Sequence, residues 1–312
     1  MQSHRRDFAH ARLLETFGAA RQGARMKNVL LSLGHGYSAQ ALTNRLLPLG
    51  FDVLGTTRDA DKAARMRAQG VTPIAWNADA IADAMAGATH LLVSAGPGEG
   101  GDPSLALARD AIAARAPDLA WAGYLSTTGV YGDHAGEWID ETAPLAPSTR
   151  RGRLRVDAES AWQAIPGLAL HIFRLAGIYG PGRGPFAKVR SGTARRIVKP
   201  GQVFSRIHVA DIAQSLEASI RRPCPGGIYN LCDDLPAPPQ EVILFAADLL
   251  GVAPPPEEDF ETAEMSAMAR SFYSESKRVS NRRLRQDLGV QLIYPDYRAG
   301  LRALLAQERA AG

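Results

Sequence analysis

The sequence is poor in cysteine and lacks long apolar runs. Cys224 and Cys232 are the only cysteines among its 312 residues. Their number and spacing fit neither a disulfide framework nor a zinc site, so we expect free thiols, no bound metal and a reducing compartment, the cytoplasm. No apolar stretch approaches the roughly 20 residues that a membrane-spanning helix needs, which excludes a membrane partner.

Little positive charge remains once the N-terminus is set aside. The chain has a formal charge of +4, and residues 1–25 hold five Arg against Asp7 and Glu15, a net of +3. The +1 that is left is too small for a nucleic-acid-binding surface, so nucleic acid is excluded as a partner.

Because Met26 directly precedes the first strand-like run, residues 1–25 are predicted to be a disordered extension or to precede the true start. A basic targeting helix is the alternative.

From Met26 onward, short apolar runs alternate with helical stretches. The apolar runs cover 29–34, 51–58, 71–77, 89–96, 120–127 and 168–180. The helices predicted between and after them cover 61–69, 79–87, 103–116, 148–164, 240–250 and a last stretch that begins near Ser276. Runs this apolar are typical of strands covered on both faces, so the pattern predicts an α/β fold with a doubly wound parallel Rossmann sheet.

The pattern loosens after Gly180, where Gly, Pro and Arg accumulate. We therefore expect a smaller C-terminal lobe on the substrate side of the sheet. The dinucleotide-binding domain is predicted to comprise 26–180 and about 206–232, and the lobe about 181–205 and 233–312.

The first strand ends in a glycine-rich turn, Gly34-His35-Gly36-Tyr37-Ser38-Ala39. It matches the G-x-G-x-x-(G/A) dinucleotide-binding pattern and lies between a strand and a helix, as that pattern requires. The first glycine permits the tight turn, and the second lets the backbone approach a pyrophosphate. Amides at the helix N-terminus then hold the phosphates.

The end of the second strand indicates which dinucleotide binds. NAD-binding versions of the fold place an acidic residue there, but this sequence has Thr57-Arg58. Thr57 leaves room for a 2′-phosphate and Arg58 can bind it, which favours NADP over NAD. In the alternative, Arg58 is a solvated residue and Asp59 binds the ribose of NAD. The predicted cofactor-binding residues are Gly34, Gly36, Tyr37, Ser38, Ala39, Thr57, Arg58, Asn77, Ser94, Ala95 and Gly96.

Six segments, in order, resemble the extended short-chain dehydrogenase/reductase superfamily, the NAD(P)-dependent epimerase/dehydratase group. They are YLSTTGVYGD (124–133), DETAP (140–144), RLAGIYGPGR (174–183), RIHVADIA (206–213), GGIYNLCDD (226–234) and SKRVSNRRLRQDLG (276–289). The resemblance implies a nicotinamide cofactor and a catalytic Ser/Thr, Tyr and Lys. By position, Thr127 takes the Ser/Thr role.

The expected Tyr-x-x-x-Lys pair is missing. Counting back from Glu159, the family's Tyr position holds Arg151 and its Lys position holds Arg155. An arginine remains protonated, so Arg151 cannot readily supply a proton, whereas Arg155 can still hold the nicotinamide ribose. Thr127, Arg151 and Arg155 are the predicted catalytic residues of an atypical member.

Other candidate acids are weaker. Tyr273 and Lys277 form a literal Tyr-x-x-x-Lys, but they lie about 120 residues late in the chain, so we expect no catalytic role. Tyr131 and Tyr179 border motifs near the nicotinamide, and His208 lies in the RIHVAD segment. The two tyrosines are either proton donors or, as we favour, packed aromatic residues. His208 is either a base or, as we favour, a structural histidine.

The predicted function is NADP-dependent oxidation, reduction or epimerisation of a small molecule, with hydride transfer at a carbonyl or hydroxyl carbon. A non-catalytic NADP-binding sensor or scaffold is the alternative. The protein is expected to be a monomer or a homodimer.

A final group of arginines is expected either to bind an anionic substrate or, as we favour, to form a solvated basic face. These residues are Arg183, Arg190, Arg195 and Arg196.

Overall fold

A computed structural model describes residues 27–311. The extension predicted for residues 1–25 lies outside the described residues. In the described part, the strands are β1 (Val29–Leu33), β2 (Asp52–Thr57), β3 (Val71–Ala75), β4 (His90–Val93), β5 (Trp121–Thr127), β6 (Trp138–Ile139), β7 (Leu170–Leu175), β8 (Gly177–Tyr179), β9 (Arg196–Val198), β10 (Arg206–His208), β11 (Ile228–Leu231), β12 (Glu257–Asp259) and β13 (Arg278–Val279).

The helices largely alternate with the strands of the main sheet. They are α1 (Tyr37–Leu46), α2 (Ala60–Ala68), α3 (Ala78–Gly87), α4 (Pro103–Arg115), α5 (Arg150–Gln163), α6 (Phe186–Arg190), α7 (Val209–Arg221), α8 (Pro239–Leu250), α9 (Ala267–Phe272), α10 (Arg282–Leu288) and α11 (Tyr297–Ala311). None of these described helices has the length and apolar character needed to cross a bilayer.

Seven strands form one parallel sheet in the order β11-β7-β5-β4-β1-β2-β3. The chain adds strands outward from β1 in one direction and then, from β4, in the other. In such a sheet a crevice opens outside the carboxyl ends of the two strands where the direction reverses, here β1 and β4. The predicted doubly wound α/β fold is confirmed.

Both faces of this sheet are buried. Neighbouring residues of β1 point to opposite faces, so Leu30 packs with Leu42 and Ile212, whereas Leu31 packs with Ile81. Since helices cover both sides, both sides of the strands must be apolar. A separate hydrophobic cluster, built mainly from α6, α8 and α11, lies in the C-terminal part of the chain.

Two element boundaries differ from the sequence prediction. The run 168–180 is two strands, because the amide of Gly177 bonds to the carbonyl of Ser205 and β8 pairs with β10 outside the main sheet. The helix predicted to begin near Ser276 begins at Arg282, because the preceding β13 pairs with β6. Both differences come from long-range pairing that a local pattern does not contain.

A buried ion pair joins α5 to the main sheet. Arg174 on β7 donates to both carboxylate oxygens of Glu159 on α5, at 2.7 and 3.2 Å. The two residues are only 3% and 1% exposed. The hydroxyl of Ser126 on β5 donates to the same carboxylate at 2.5 Å. Glu159 therefore sets the position of α5 against the carboxyl ends of β5 and β7.

Replacing Glu159 with Gln should destabilise the protein by about 3 kcal/mol or more, because the charge of Arg174 would remain buried without its partner. Urea denaturation measures the loss. Glu308→Gln is the control, since the Glu308–Arg190 pair is nearly half exposed and should change stability by less than about 1 kcal/mol. Equal effects of the two substitutions would contradict a special role for the buried pair.

Candidate functional site

One open cleft of about 1420 Å³ lies at the carboxyl ends of the strands of the main sheet. One wall comes from the glycine turn, the end of β5 and the start of α5, and the other from β8, β10 and the segment around α9. The cleft brings together seven of the predicted site residues. They are Gly36, Tyr37, Ser38, Ser94, Thr127, Arg151 and Arg155.

The glycine turn has the geometry that its sequence predicts. Gly34 has φ of +80°, and a Cβ atom added there would lie 2.6 Å from the amide nitrogen of Ala95. Its own amide donates to the hydroxyl of Thr56 at 2.8 Å, and its carbonyl accepts from the hydroxyl of Ser94. Only glycine permits both this conformation and this contact between the ends of β1 and β4.

Helix α1 begins at this turn without a side-chain cap. Gly36 is its N-cap residue, and no acidic side chain lies in the first turn. The first amides of a helix have no partner within the helix, and together they favour a bound anion. Helices α2 to α5 are capped by side chains instead. The capping residues are Asp59, Asn77, Asp102 and Thr149.

The end of β2 carries the residues predicted to select the cofactor. Arg58 is exposed, and none of the ion pairs between described residues includes it. The hydroxyl of Thr57 accepts from the amide of Asp59 at 3.1 Å, and the Asp59 carboxylate in turn accepts from the amide of Lys62 at 2.7 Å. Asn77 is also exposed and caps α3.

Arg155 reaches from α5 to the strand ends. Its guanidinium donates to the carbonyl of Leu125 at 2.7 Å and to the hydroxyl of Tyr124 at 3.0 Å. A second nitrogen of the guanidinium would lie 3.2 Å from a Cβ atom on Gly96. Thr127 ends β5, and its hydroxyl accepts from the amide of Gly129 at 3.2 Å. Arg151 is exposed on the wall of the cleft.

Two of the alternative acids, Tyr131 and Tyr179, are buried and form hydrogen bonds to other parts of the fold. The hydroxyl of Tyr131 donates to Asn230 at 2.7 Å and accepts from Arg174 at 2.9 Å, and burial raises its pKa to about 12. Tyr179 is buried, and its hydroxyl donates to the carbonyl of Asp296 at 3.4 Å. Burial raises the pKa of Tyr179 as well.

His208 also has a structural role. It caps α7, because its Nδ1 accepts from the amide of Ala210 at 3.1 Å. Its ring packs against those of Tyr179 and Tyr294, and burial lowers its pKa to about 4. These contacts agree with the structural alternative for all three residues.

Tyr273 and Lys277 lie in the cleft, although their late position in the chain gave no reason to expect it. Lys277 donates to the carbonyl of Gly132 at 2.5 Å and pairs with Glu275 at 2.7 Å. Glu275 also accepts from the hydroxyl of Ser148, close to the start of α5. The segment therefore lies beside the start of α5, but α9 ends at Phe272, so Tyr273 and Lys277 do not share a helix face.

Three of the four arginines considered for an anionic substrate are paired at the surface. Arg190 bonds to Glu308, Arg195 to Glu258 and Arg196 to Glu257. These three have carboxylate partners already, which favours the solvated basic face. Arg183 alone of the four lines the cleft.

The comparisons place the chain among known structures. No protein-family model matches it. A functionally unknown conserved protein from Silicibacter pomeroyi is 57% identical, with a TM-score of 0.85 over 90% of this chain and 99% of that one. The chain belongs to the family of that protein. Protein YeeZ from Escherichia coli strain K12 is 29% identical over 287 residues, covering 87% of this chain and 97% of YeeZ.

A structural neighbour of the chain belongs to the NAD-dependent epimerase/dehydratase group. A protein from Methylobacillus flagellatus assigned to that group is 25% identical, with a TM-score of 0.67 over 91% of this chain and 99% of that one. The predicted resemblance to an atypical member is confirmed.

Two further neighbours share the fold and are described with a cofactor. The human epimerase family protein SDR39U1 is described with NADPH, at 19% identity, with a TM-score of 0.68 over 89% of this chain and 99% of that one. A dTDP-glucose 4,6-dehydratase from Bacillus anthracis is described with NAD, at 14% identity, with a TM-score of 0.73 over 91% of this chain and 97% of that one.

The glycine turn of this family member contains an unusual buried histidine. His35 is fully buried against Gly55, and neither of its ring nitrogens has a hydrogen-bond partner among the described residues. Burial lowers the pKa of His35 to about 4, and the charge of Lys62 acts in the same direction. The imidazole is therefore neutral at pH 7.

His35→Leu should reduce the loss of stability in acid. The unfolded chain binds a proton near pH 6.5 and the native His35 only near pH 4, so the stability that His35 contributes falls as the pH drops through this window. The loss amounts to about 2 kcal/mol at pH 5. At pH 7 the substitution should be nearly neutral, because it removes unpaired polar atoms. Thermal unfolding at pH 7 and pH 5 tests this, and equal acid losses in variant and wild type would contradict it.

Proposed function

We propose that this protein is an NADP-dependent oxidoreductase or epimerase that transfers a hydride at a carbonyl or hydroxyl carbon of a small molecule. The observation that carries the proposal is the uncapped N-terminus of α1 at a glycine turn that opens into the same cleft as Thr127 and Arg155. NADP, when bound, supplies the hydride chemistry.

The residues at the turn fit a dinucleotide. The close approach of Gly34 to Ala95 leaves the amides of Tyr37, Ser38 and Ala39 at the mouth of a helix with no competing side chain. These amides would bind the pyrophosphate. Next to Gly96, Arg155 would hold the nicotinamide ribose, since its guanidinium is already fixed by Leu125 and Tyr124.

Three features support NADP over NAD. Arg58 is exposed and has no carboxylate partner among the described residues. Thr57 is not acidic, and Asp59, the alternative ribose ligand, caps α2 with its carboxylate. The human neighbour with NADPH and the bacterial dehydratase with NAD show that related folds bind either cofactor. The preference for NADP in this protein is therefore argued from Arg58, Thr57 and Asp59 alone.

Arg58→Ala should weaken NADPH binding about tenfold and leave NADH binding unchanged, because only NADPH carries the 2′-phosphate. Fluorescence titration of the purified protein measures both dissociation constants. Arg65→Ala, a substitution on the following helix, is the control for loss of a basic surface charge. An equal loss for both cofactors, or for neither, would contradict recognition of the 2′-phosphate by Arg58.

Since Arg151 cannot readily release a proton, the proton would come from water or from a nearby tyrosine. We propose Tyr273, because it lines the cleft and its hydroxyl forms no hydrogen bond to a described residue. Its ring packs against Phe204 and Phe260 at centroid distances of 5.8 and 5.2 Å. Burial raises its pKa, so the hydroxyl keeps its proton at pH 7. Thr127 would orient the reacting oxygen.

Tyr273→Phe should lower kcat/KM by roughly 10²–10⁴, the usual effect of losing a general acid, without changing NADPH binding. A panel of carbonyl, quinone and sugar-nucleotide compounds with NADPH identifies a substrate first. Tyr229→Phe is the matched control, since Tyr229 lies on β11 outside the cleft. Full activity of Tyr273→Phe would exclude Tyr273 as the donor, and unchanged kcat/KM in Thr127→Val would exclude the role of Thr127.

A non-catalytic NADP-binding sensor is the second candidate. It is favoured by Arg151, which occupies the position of the family's acid but cannot readily release a proton. Tight NADPH binding with no oxidation or reduction across the panel would support this candidate over an enzyme.

A further inference from the structure

A loop from the far side of the cleft is docked on the glycine turn. The hydroxyl of Tyr37, the first residue of α1, donates to the carbonyl of Pro181 at 2.9 Å. A Cβ atom on Gly180 would lie 2.5 Å from that hydroxyl, so the contact requires glycine there. Gly180 and Arg183 exchange two backbone hydrogen bonds, at 2.9 and 3.3 Å, which close the loop into a tight turn. We call residues 180–183 the docking loop.

The docking loop places a cation over Tyr37. The guanidinium carbon of Arg183 lies 4.5 Å from the centroid of the Tyr37 ring, within the range of a cation–π contact. Stacking uses the face of the guanidinium and leaves the N–H groups at its edge available for an anion.

Arg183 also lacks a carboxylate partner. None of the ion pairs in residues 27–311 includes it, in contrast to Arg190, Arg195 and Arg196. Arg183 is thus an unpaired arginine that lies over the ring of Tyr37, the first residue of the uncapped helix α1, and both line the cleft. Two independent features, the amides and the cation, favour the same anion.

We propose that Arg183 would bind the diphosphate of the dinucleotide together with the amides of α1, and that Tyr37 positions Arg183. This proposal rests on the proposed function, since it names a further contact of the same cofactor. It removes Arg183 from the set of substrate-binding residues. It also makes the docking loop a clamp, because a ligand held by both α1 and Arg183 joins the two walls of the cleft.

The chemistry of the diphosphate provides the test. Both NADPH and NADH carry it, so Arg183→Gln should weaken both by the same factor, about tenfold at low salt. High salt should reduce the difference, because the residue is exposed. Arg58→Ala, in contrast, should affect NADPH alone. Arg190→Gln is the matched control. Because Arg190 is paired with Glu308 and lies outside the cleft, this substitution should change the affinity for neither dinucleotide.

The role of Tyr37 is tested by two substitutions. Tyr37→Leu removes the ring that Arg183 stacks on and should weaken NADPH and NADH about as much as Arg183→Gln. Tyr37→Phe keeps the ring and should retain most of the affinity, whereas a merely structural hydroxyl bond to Pro181 would make both substitutions equally harmful. Circular dichroism of each variant confirms that it is folded.

Fluorescence titration with NADPH and NADH, in the absence of substrate, gives a decisive result in each case. Equal weakening of both by Arg183→Gln supports the proposal. Unchanged affinity for both overturns it and leaves the proposed function intact, and weakening of NADPH alone overturns it by assigning Arg183 to the 2′-phosphate. If the folded wild-type protein binds neither dinucleotide, both the proposed function and this inference are wrong.

Discussion

The buried pair of Glu159 and Arg174 is the constraint on which the cleft depends. It is bidentate and almost fully shielded from water, and Ser126 adds a third bond to the same carboxylate. Thr127 follows Ser126 directly, and Arg155 lies one helical turn before Glu159 on α5. One ion pair thereby fixes both the strand end and the helix that carry the predicted catalytic residues.

The same pair also holds one of the candidate tyrosines in the interior of the fold. Arg174 also donates to Tyr131, whose hydroxyl is further bound to Asn230, so Tyr131 belongs to the buried network and its pKa is raised to about 12. Tyr273 lies outside that network, in the cleft, with a hydroxyl that no described residue binds. Arg151 occupies the position where the extended short-chain dehydrogenases/reductases have their Tyr, and Tyr273, the proposed proton donor, comes from a distant part of the chain.

Local patterns in the sequence predict the parts of the site that depend on local geometry. The glycine turn requires φ of +80° at Gly34, and that requirement is visible in the residues themselves. The division of 168–180 into two strands is not visible in the sequence, because it follows from the pairing of β8 with β10. The position of Tyr273 is not visible either, because it follows from hydrogen bonds of Ser148 and Lys277 that each span more than 120 residues. The position of Tyr273 in the sequence therefore gave no reason to expect it in the cleft.

The glycine turn, Arg155 and Arg58 are proposed to bind one dinucleotide, whichever group supplies the proton. Native mass spectrometry of the full-length protein with NADPH tests this most directly. One NADPH is expected to bind per chain and to be retained in preference to NADH when both are present. A protein that remains folded but carries neither dinucleotide would contradict it.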